Sequence, residues 1–175
     1  MSCTAFDGHR QIATGSLAEV ALAVKATIDG GGVGPVLTFD DATGDVVDFD
    51  LRGSTAEIAA RLEAPRGRGR PKLGVTAREV TLLPRHWAWL ADQPGGASVT
   101  LRRLIDEARR ADGGHSQIRV ARDAAYRFLS AMAGDLPGFE EAARALFAGD
   151  RDRLEQQMAA WPTDIRNHAL RLANA

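Results

Sequence analysis

Cysteine is nearly absent from this chain of 175 residues: Cys3 stands alone. No disulfide can form within one chain, and no cluster of thiolate ligands can hold a metal. Lysine is almost as scarce. Only Lys25 and Lys72 occur, and the other twenty basic side chains are arginines. No apolar run approaches the roughly 18 residues that would cross a bilayer. The start, MSCTAFDGHR, has no basic segment followed by an apolar core, so no signal peptide is expected and a cytoplasmic protein is. What is present is ordinary for a globular protein: 45% hydrophobic and 26% charged residues.

A net charge of -1 hides strong segregation. Residues 1–64 hold 4 basic and 10 acidic side chains, and residues 123–175 hold 6 and 8. Residues 65–122 between them hold 12 basic and 5 acidic. A basic middle with acidic flanks points to an anionic partner.

Hydrophobic periodicity divides the chain the same way. TAFDG and RQIATG read as strands around Gly8. SLAEVALAVKATIDGGG reads as a helix, with Ser16 and Glu19 forming a capping box and Leu17, Val20, Ala21, Val24 and Ile28 at helical spacing. PVLTFDDATGDVVDFDL reads as a hairpin, and STAEIAARLEA as a helix capped by Ser54 and Glu57. The expectation is an α+β protein. Residues 1–64 form a small ββαββα domain, residues 65–74 a basic Gly/Pro linker, residues 75–111 a strand-helix-helix unit and residues 112–175 a C-terminal helical bundle. In the third part the strand is expected over 77–83, a short helix from Pro84, and a second helix N-capped by Ser98 with an apolar face of Leu101, Leu104, Ile105 and Ala108. Of Trp87 and Trp89, two residues apart, one is expected in the core. The bundle helices are expected near 116–133, 138–148, 150–160 and 163–173, with Trp161 plugging the last two.

Enzyme signals are weak. GGGVG follows a helix and precedes a strand, the reverse of a phosphate-binding loop, and reads as a helix stop. Asp40, Asp41, Asp45, Asp48 and Asp50 read as solvated carboxylates around the hairpin, although Asp48 and Asp50 share a face that a divalent ion could use. His9, His86, His115 and His168 show no metal-ligand spacing. No catalytic residue, cofactor or metal is expected.

The basic segment carries the most specific pattern. Arg68-Gly69-Arg70-Pro71, in GRGRPK, resembles the AT-hook, a short peptide that binds A·T-rich minor grooves. Glycine lets the backbone lie close to the groove floor and proline keeps the chain extended. The two arginines suit the negative potential of a narrow groove. Gly67 stands where the family often has proline. The following stretch, REVTLLPRHWAWLADQPGGASVTLRRLIDEARR, resembles the ribbon-helix-helix DNA-binding family, with a first helix about one turn short. That resemblance implies a homodimer whose paired strands read the major groove and whose second helix starts on a phosphate. The chain as a whole resembles an uncharacterised bacterial family of similar length, through FDGHR, DFDLRG, GRPKLGVTAREVTLLPRHWAWL, QPGGASVTLRRL and ALFAGD.

The expected function is therefore DNA binding, in transcription regulation or nucleoid organisation. Arg66, Arg68, Gly69, Arg70, Pro71 and Lys72 would form the groove-binding segment. Arg78 and Thr81 would read bases, and Ser98, Thr100, Arg102 and Arg103 would hold phosphate. The alternatives are a protein–protein interaction module whose basic segment is only a linker, an enzyme built on the acidic N-terminal part, or RNA as the polyanion.

Overall fold

The computed structural model describes residues 1–63 and 78–174. Strands β1 (Ser2–Asp7) and β2 (Arg10–Ser16) pair antiparallel across the tight turn at Gly8, with a register shift between Ala5 and Phe6. Strand β3 (Val36–Asp40) pairs antiparallel with the other edge of β1, giving the order β2-β1-β3. β1 is thus central, and its last five residues are buried. Strand alternation splits them between two layers. Cys3 and Ala5 pack with Val20 and Val24 of α1 (Leu17–Asp29), beside α2 (Thr55–Leu62). Phe6, joined by Phe39 of β3, packs on the opposite face against the C-terminal helices.

Local chemistry explains these elements. Both expected capping boxes form: Ser16 with Glu19 starts α1, and Ser54 with Glu57 starts α2. Each serine hydroxyl and backbone N–H engages its glutamate, holding both carboxyls below the usual range. The glycine run stops α1, since the Gly30 N–H closes on the Ala26 carbonyl at 3.0 Å. It then folds back on the first hairpin. Buried Asp7 accepts the N–H groups of Val33 at 3.1 Å and Gly34 at 2.7 Å, and these bonds lower its pKa. Gly34 lies so close to Gly8 that a Cβ there would meet the Gly8 Cα at 2.9 Å.

The expected second hairpin forms only in part. The DATGD turn closes, and Val46 makes one bridge to Phe39. Beyond Val47 no ladder continues. Val47, Phe49 and Leu51 still alternate into the α1 side of the core, but the carbonyls of Asp50 and Arg52 are taken by the Arg61 guanidinium, each at 2.7 Å. Satisfied by a side chain, that backbone needs no neighbouring strand. The N-terminal part is therefore ββαβα.

Four helices follow the middle of the chain: α5 (His115–Ala133), α6 (Phe139–Ala148), α7 (Arg151–Gln157) and α8 (Thr163–Ala173). α7 ends three residues earlier than periodicity suggests, because Met158–Trp161 turn instead to seat Trp161. Its indole N–H donates to the Pro137 carbonyl at 2.8 Å, and the ring is buried as expected.

The chain separates into two compact units, residues 1–64 with 116–175, and residues 65–115. This grouping differs from the expected series of four parts: the N-terminal and C-terminal segments are one unit. The reason is aromatic packing across the sheet. Phe128 of α5 meets Phe39 and Phe6 at centroid distances of 4.9 and 5.4 Å. The hairpin turn also seats directly on α5. A Cβ on Gly44 (φ +70°) would fall 2.0 Å from the Ala124 carbonyl oxygen, and Arg127 donates to the Thr43 carbonyl at 2.9 Å. Gly44→Ala should therefore lower unfolding free energy by about 3 kcal/mol, through both backbone strain and overpacking. Urea denaturation of the purified variant checks this; a change within 0.5 kcal/mol or so would show that the turn does not hold the two segments together.

Candidate nucleic-acid interface

Within the 65–115 unit, the described residues form two helices, α3 (Pro84–Ala91) and α4 (Gly96–Asp112). Pro84 occupies the first turn of α3, where its missing N–H costs nothing. Gly95 and Gly96 both take positive φ, 82° and 72°, which lets the chain reverse tightly into α4. Gly113 ends α4 in a left-handed conformation. The two helices pack on each other.

Several expected site residues are placed by this geometry. Arg66, Arg68, Gly69, Arg70, Pro71 and Lys72 lie outside the described residues. Arg78 and Thr81 are exposed, but residues 78–83 are not a strand. Among the described residues of this unit no strand stands beside that stretch to form a ladder. Ser98 is not the N-cap. Gly95 is, because the two glycines start the helix three residues sooner, and Ser98 lies in its first turn. The orphan N–H groups at this end are consequently those from Gly96 onward. Thr100 is buried on α4, only 3% exposed, so its hydroxyl is withheld from any phosphate. Both tryptophans of α3 are about half exposed, Trp87 at 44% and Trp89 at 50%, and Leu90 is the buried residue of that helix. A two-turn helix against one neighbour has too narrow a contact to bury either indole.

Arg102 and Arg103 are exposed as expected. The Arg102 Nε donates to the Ser98 carbonyl at 3.1 Å, and the Arg103 Nη1 pairs with Glu107 at 2.9 Å. Arg109 and Arg110, also exposed, complete the basic surface and were not among the expected contacts. Their signal is spacing. Seven residues is nearly two helical turns, so Arg109 lies above Arg102, and Arg110 above Arg103. The 65–115 unit holds ten basic and five acidic residues, whereas the rest of the chain holds twelve and eighteen.

A concavity lies in the other unit. It is a cleft of about 510 Å³ with an apolar wall of Val120, Ala124 and Leu172, and with Asp41 and Ser116 at its edge. Asp41 accepts the Ser2 and Thr4 hydroxyls, both at 2.7 Å, so it ties β1 to the end of β3. Behind it sits His168, fully buried between the rings of Phe6 and Phe128. Its Nδ1 faces the Arg171 guanidinium at 2.5 Å. A guanidinium only donates, so Nδ1 accepts and the proton of the neutral ring belongs on Nε2. That Nε2 has no hydrogen-bond partner among the described residues and lies 3.9 Å from Asp41 Oδ1. Sequence spacing could not single out His168, since Phe6, Asp41 and Phe128 come to it from elements tens to more than a hundred residues away.

The hairpin carboxylates behave as structural groups. Asp50 binds the Arg52 guanidinium through both oxygens at 2.8 Å, which holds its pKa well below the usual range. Asp45 lies 3.5 Å from Arg127. Among the described residues no group of three His, Cys, Asp or Glu could hold a metal ion, and no helix is long and apolar enough to cross a membrane.

The family described as "Uncharacterized protein conserved in bacteria (DUF2239)" has a model that matches residues 2–173, and the chain belongs to that family. No curated protein and no solved structure matches the chain.

Burial lowers the His168 pKa from 6.5 to about 4, with the Arg171 charge adding to the effect and Asp41 opposing it. Between those values the unfolded chain binds a proton that the folded chain refuses. Stability is therefore complete above pH 6.5 and falls as pH drops toward 4, by at most about 3 kcal/mol. His168→Leu should flatten this slope in urea titrations run between pH 7 and 5; an unchanged slope would assign the acid sensitivity to other groups.

Proposed function

We propose, for this member of the DUF2239 family, that the 65–115 unit binds DNA and that the protein acts by binding, without catalysis of its own, in transcription regulation or nucleoid organisation in the cytoplasm. The observation that carries this reading is the coincidence of charge with structure. The segment that separates as its own compact unit is the one with net positive charge, +5 from ten basic and five acidic residues, while the remainder carries twelve and eighteen. A surface of one sign attracts a polyanion over a distance of several ångströms, and phosphate contacts then release counterions.

Each part of the unit has a role in this reading. Arg68 and Arg70, in the segment that resembles an AT-hook, enter a minor groove, while Arg66 and Lys72 neutralise phosphate. Arg102, Arg103, Arg109 and Arg110 give α4 four exposed guanidiniums at one- and seven-residue spacings. The N–H groups at the start of α4 offer a phosphate a partial positive charge. The order helix, glycine turn, helix agrees with the part of the ribbon-helix-helix resemblance that follows its strand.

A protein–protein interaction module is the second reading, and one observation favours it. Seven large apolar side chains of the unit are at least 37% exposed: Val80, Leu83, Trp87, Trp89, Val99, Leu104 and Ile105. Exposed apolar residues gathered on one small unit mark contact surfaces.

Fluorescence anisotropy with A·T-rich and G·C-rich duplexes separates the two. DNA binding predicts an affinity that falls with salt, with a log–log slope of roughly -3 to -4 if four phosphates are neutralised. Arg68→Ala/Arg70→Ala should remove the A·T preference, and Arg109→Ala/Arg110→Ala should lower the slope by about 2 without changing sequence preference. No binding at about 0.1 M salt would overturn the DNA reading and leave the interaction module.

A further inference from the structure

The cleft of about 510 Å³ in the larger unit has the size of cavities that hold small molecules. Three elements wall it: the first turns of α5, the end of β3 with the turn that follows, and the end of α8. Gln117, Val120, Ala121 and Ala124 recur at helical spacing and line one side of α5. The two alanines keep the floor low, and Leu172 of α8 completes the apolar wall. The turn after β3 is fixed to α5 by the close seat of Gly44 on Ala124 and by the bond from Arg127 to the Thr43 carbonyl. The concavity is therefore preformed.

Among the described residues one charged side chain lines it, Asp41. Asp7, Asp45 and Asp50 each face an arginine, at 3.4, 3.5 and 2.8 Å. Asp41 pairs with no arginine or lysine among the described residues. The groups that donate to it are the uncharged hydroxyls of Ser2 and Thr4. His168, 3.9 Å away, brings no positive charge at neutral pH, because burial lowers its pKa to about 4. The Asp41 side chain is 25% exposed, largely removed from water yet open to the cleft. A carboxylate has about four acceptor sites, and the hydroxyls take one on each oxygen. The rest, with the full negative charge, stand at the edge of an apolar surface.

We propose that this cleft binds a small organic cation, an amine whose ammonium group pairs with Asp41 while its hydrocarbon body lies on Val120, Ala124 and Leu172. The charge of the site selects that class. An anionic ligand would meet Asp41 as a like charge. A neutral one would cover the carboxylate and leave its charge without a partner. An ammonium supplies both the missing charge and hydrogen-bond donors, and bonds between ionised partners are the strong ones.

Calorimetric titration of the full chain with three probes of similar shape tests this: tryptamine as the cation, tryptophol as the neutral analogue and indoleacetate as the anion. Tryptamine should bind with a Kd of about 10–100 µM at neutral pH, tryptophol about tenfold more weakly and indoleacetate about a hundredfold more weakly. Asp41→Asn should cost tryptamine about tenfold in affinity and leave tryptophol within about twofold, a split that separates lost pairing from lost shape. Asp41 also holds two hydroxyls, so a variant at the exposed Val120 guards against misfolding. Val120→Arg brings a guanidinium to the cleft and should abolish tryptamine binding with unchanged helix content by circular dichroism. Three results would overturn the proposal: no tryptamine binding at about 1 mM, tryptophol binding as tightly as tryptamine, or tryptamine affinity unchanged by Asp41→Asn. None of these readouts involves DNA, so this site and the DNA reading stand or fall separately.

Discussion

The burial of β1 on both faces is the constraint on which the larger unit depends. A three-stranded sheet has little area, and its centre must be covered twice to be dry. Cys3 and Ala5 serve the α1 layer, and Phe6 serves the helical layer. One strand of six residues thereby joins the beginning of the chain to its end. Phe6, Phe39, Phe128 and His168 pack ring against ring where the layers meet. Aromatic edges and faces at these separations favour each other beyond their buried area.

The same packing explains how the chain tolerates a long interruption. Residues 1–64 and 116–175 find each other through side chains and not through continuity of backbone. Closing a long loop costs little more than closing a moderate one, since the cost grows only with the logarithm of length. A segment of different composition can therefore stand between the halves. This one is basic where the rest is acidic, and among its described residues seven large apolar side chains are exposed while Leu90 is the buried one.

Legibility in the sequence followed the range of the interaction. Both capping boxes, the stop at Gly30, the start of α3 at Pro84 and the run of C-terminal helices depend on residues within a few positions of one another, and they were readable. Ser98 shows where local reading goes astray. Serine is a good cap by type, but two consecutive glycines free to take positive φ started the helix ahead of it. The second strand of the hairpin was misread because Arg61, about ten residues on, satisfies the carbonyls that the strand would have used. Thr100 looked like a polar contact by composition, and its burial depends on what packs against its side of α4.

By itself the amino-acid order determined the helices, most of their ends, the sheet's first hairpin and the segregation of charge, because each follows from neighbours in the chain or from simple counting. Only the tertiary structure decided that the two ends of the chain form one unit, that Asp7 anchors the glycine loop, and that His168 is buried beside Asp41. Those facts depend on contacts between residues tens to more than a hundred positions apart. The free energy of such contacts lies in shared burial, which no local pattern records.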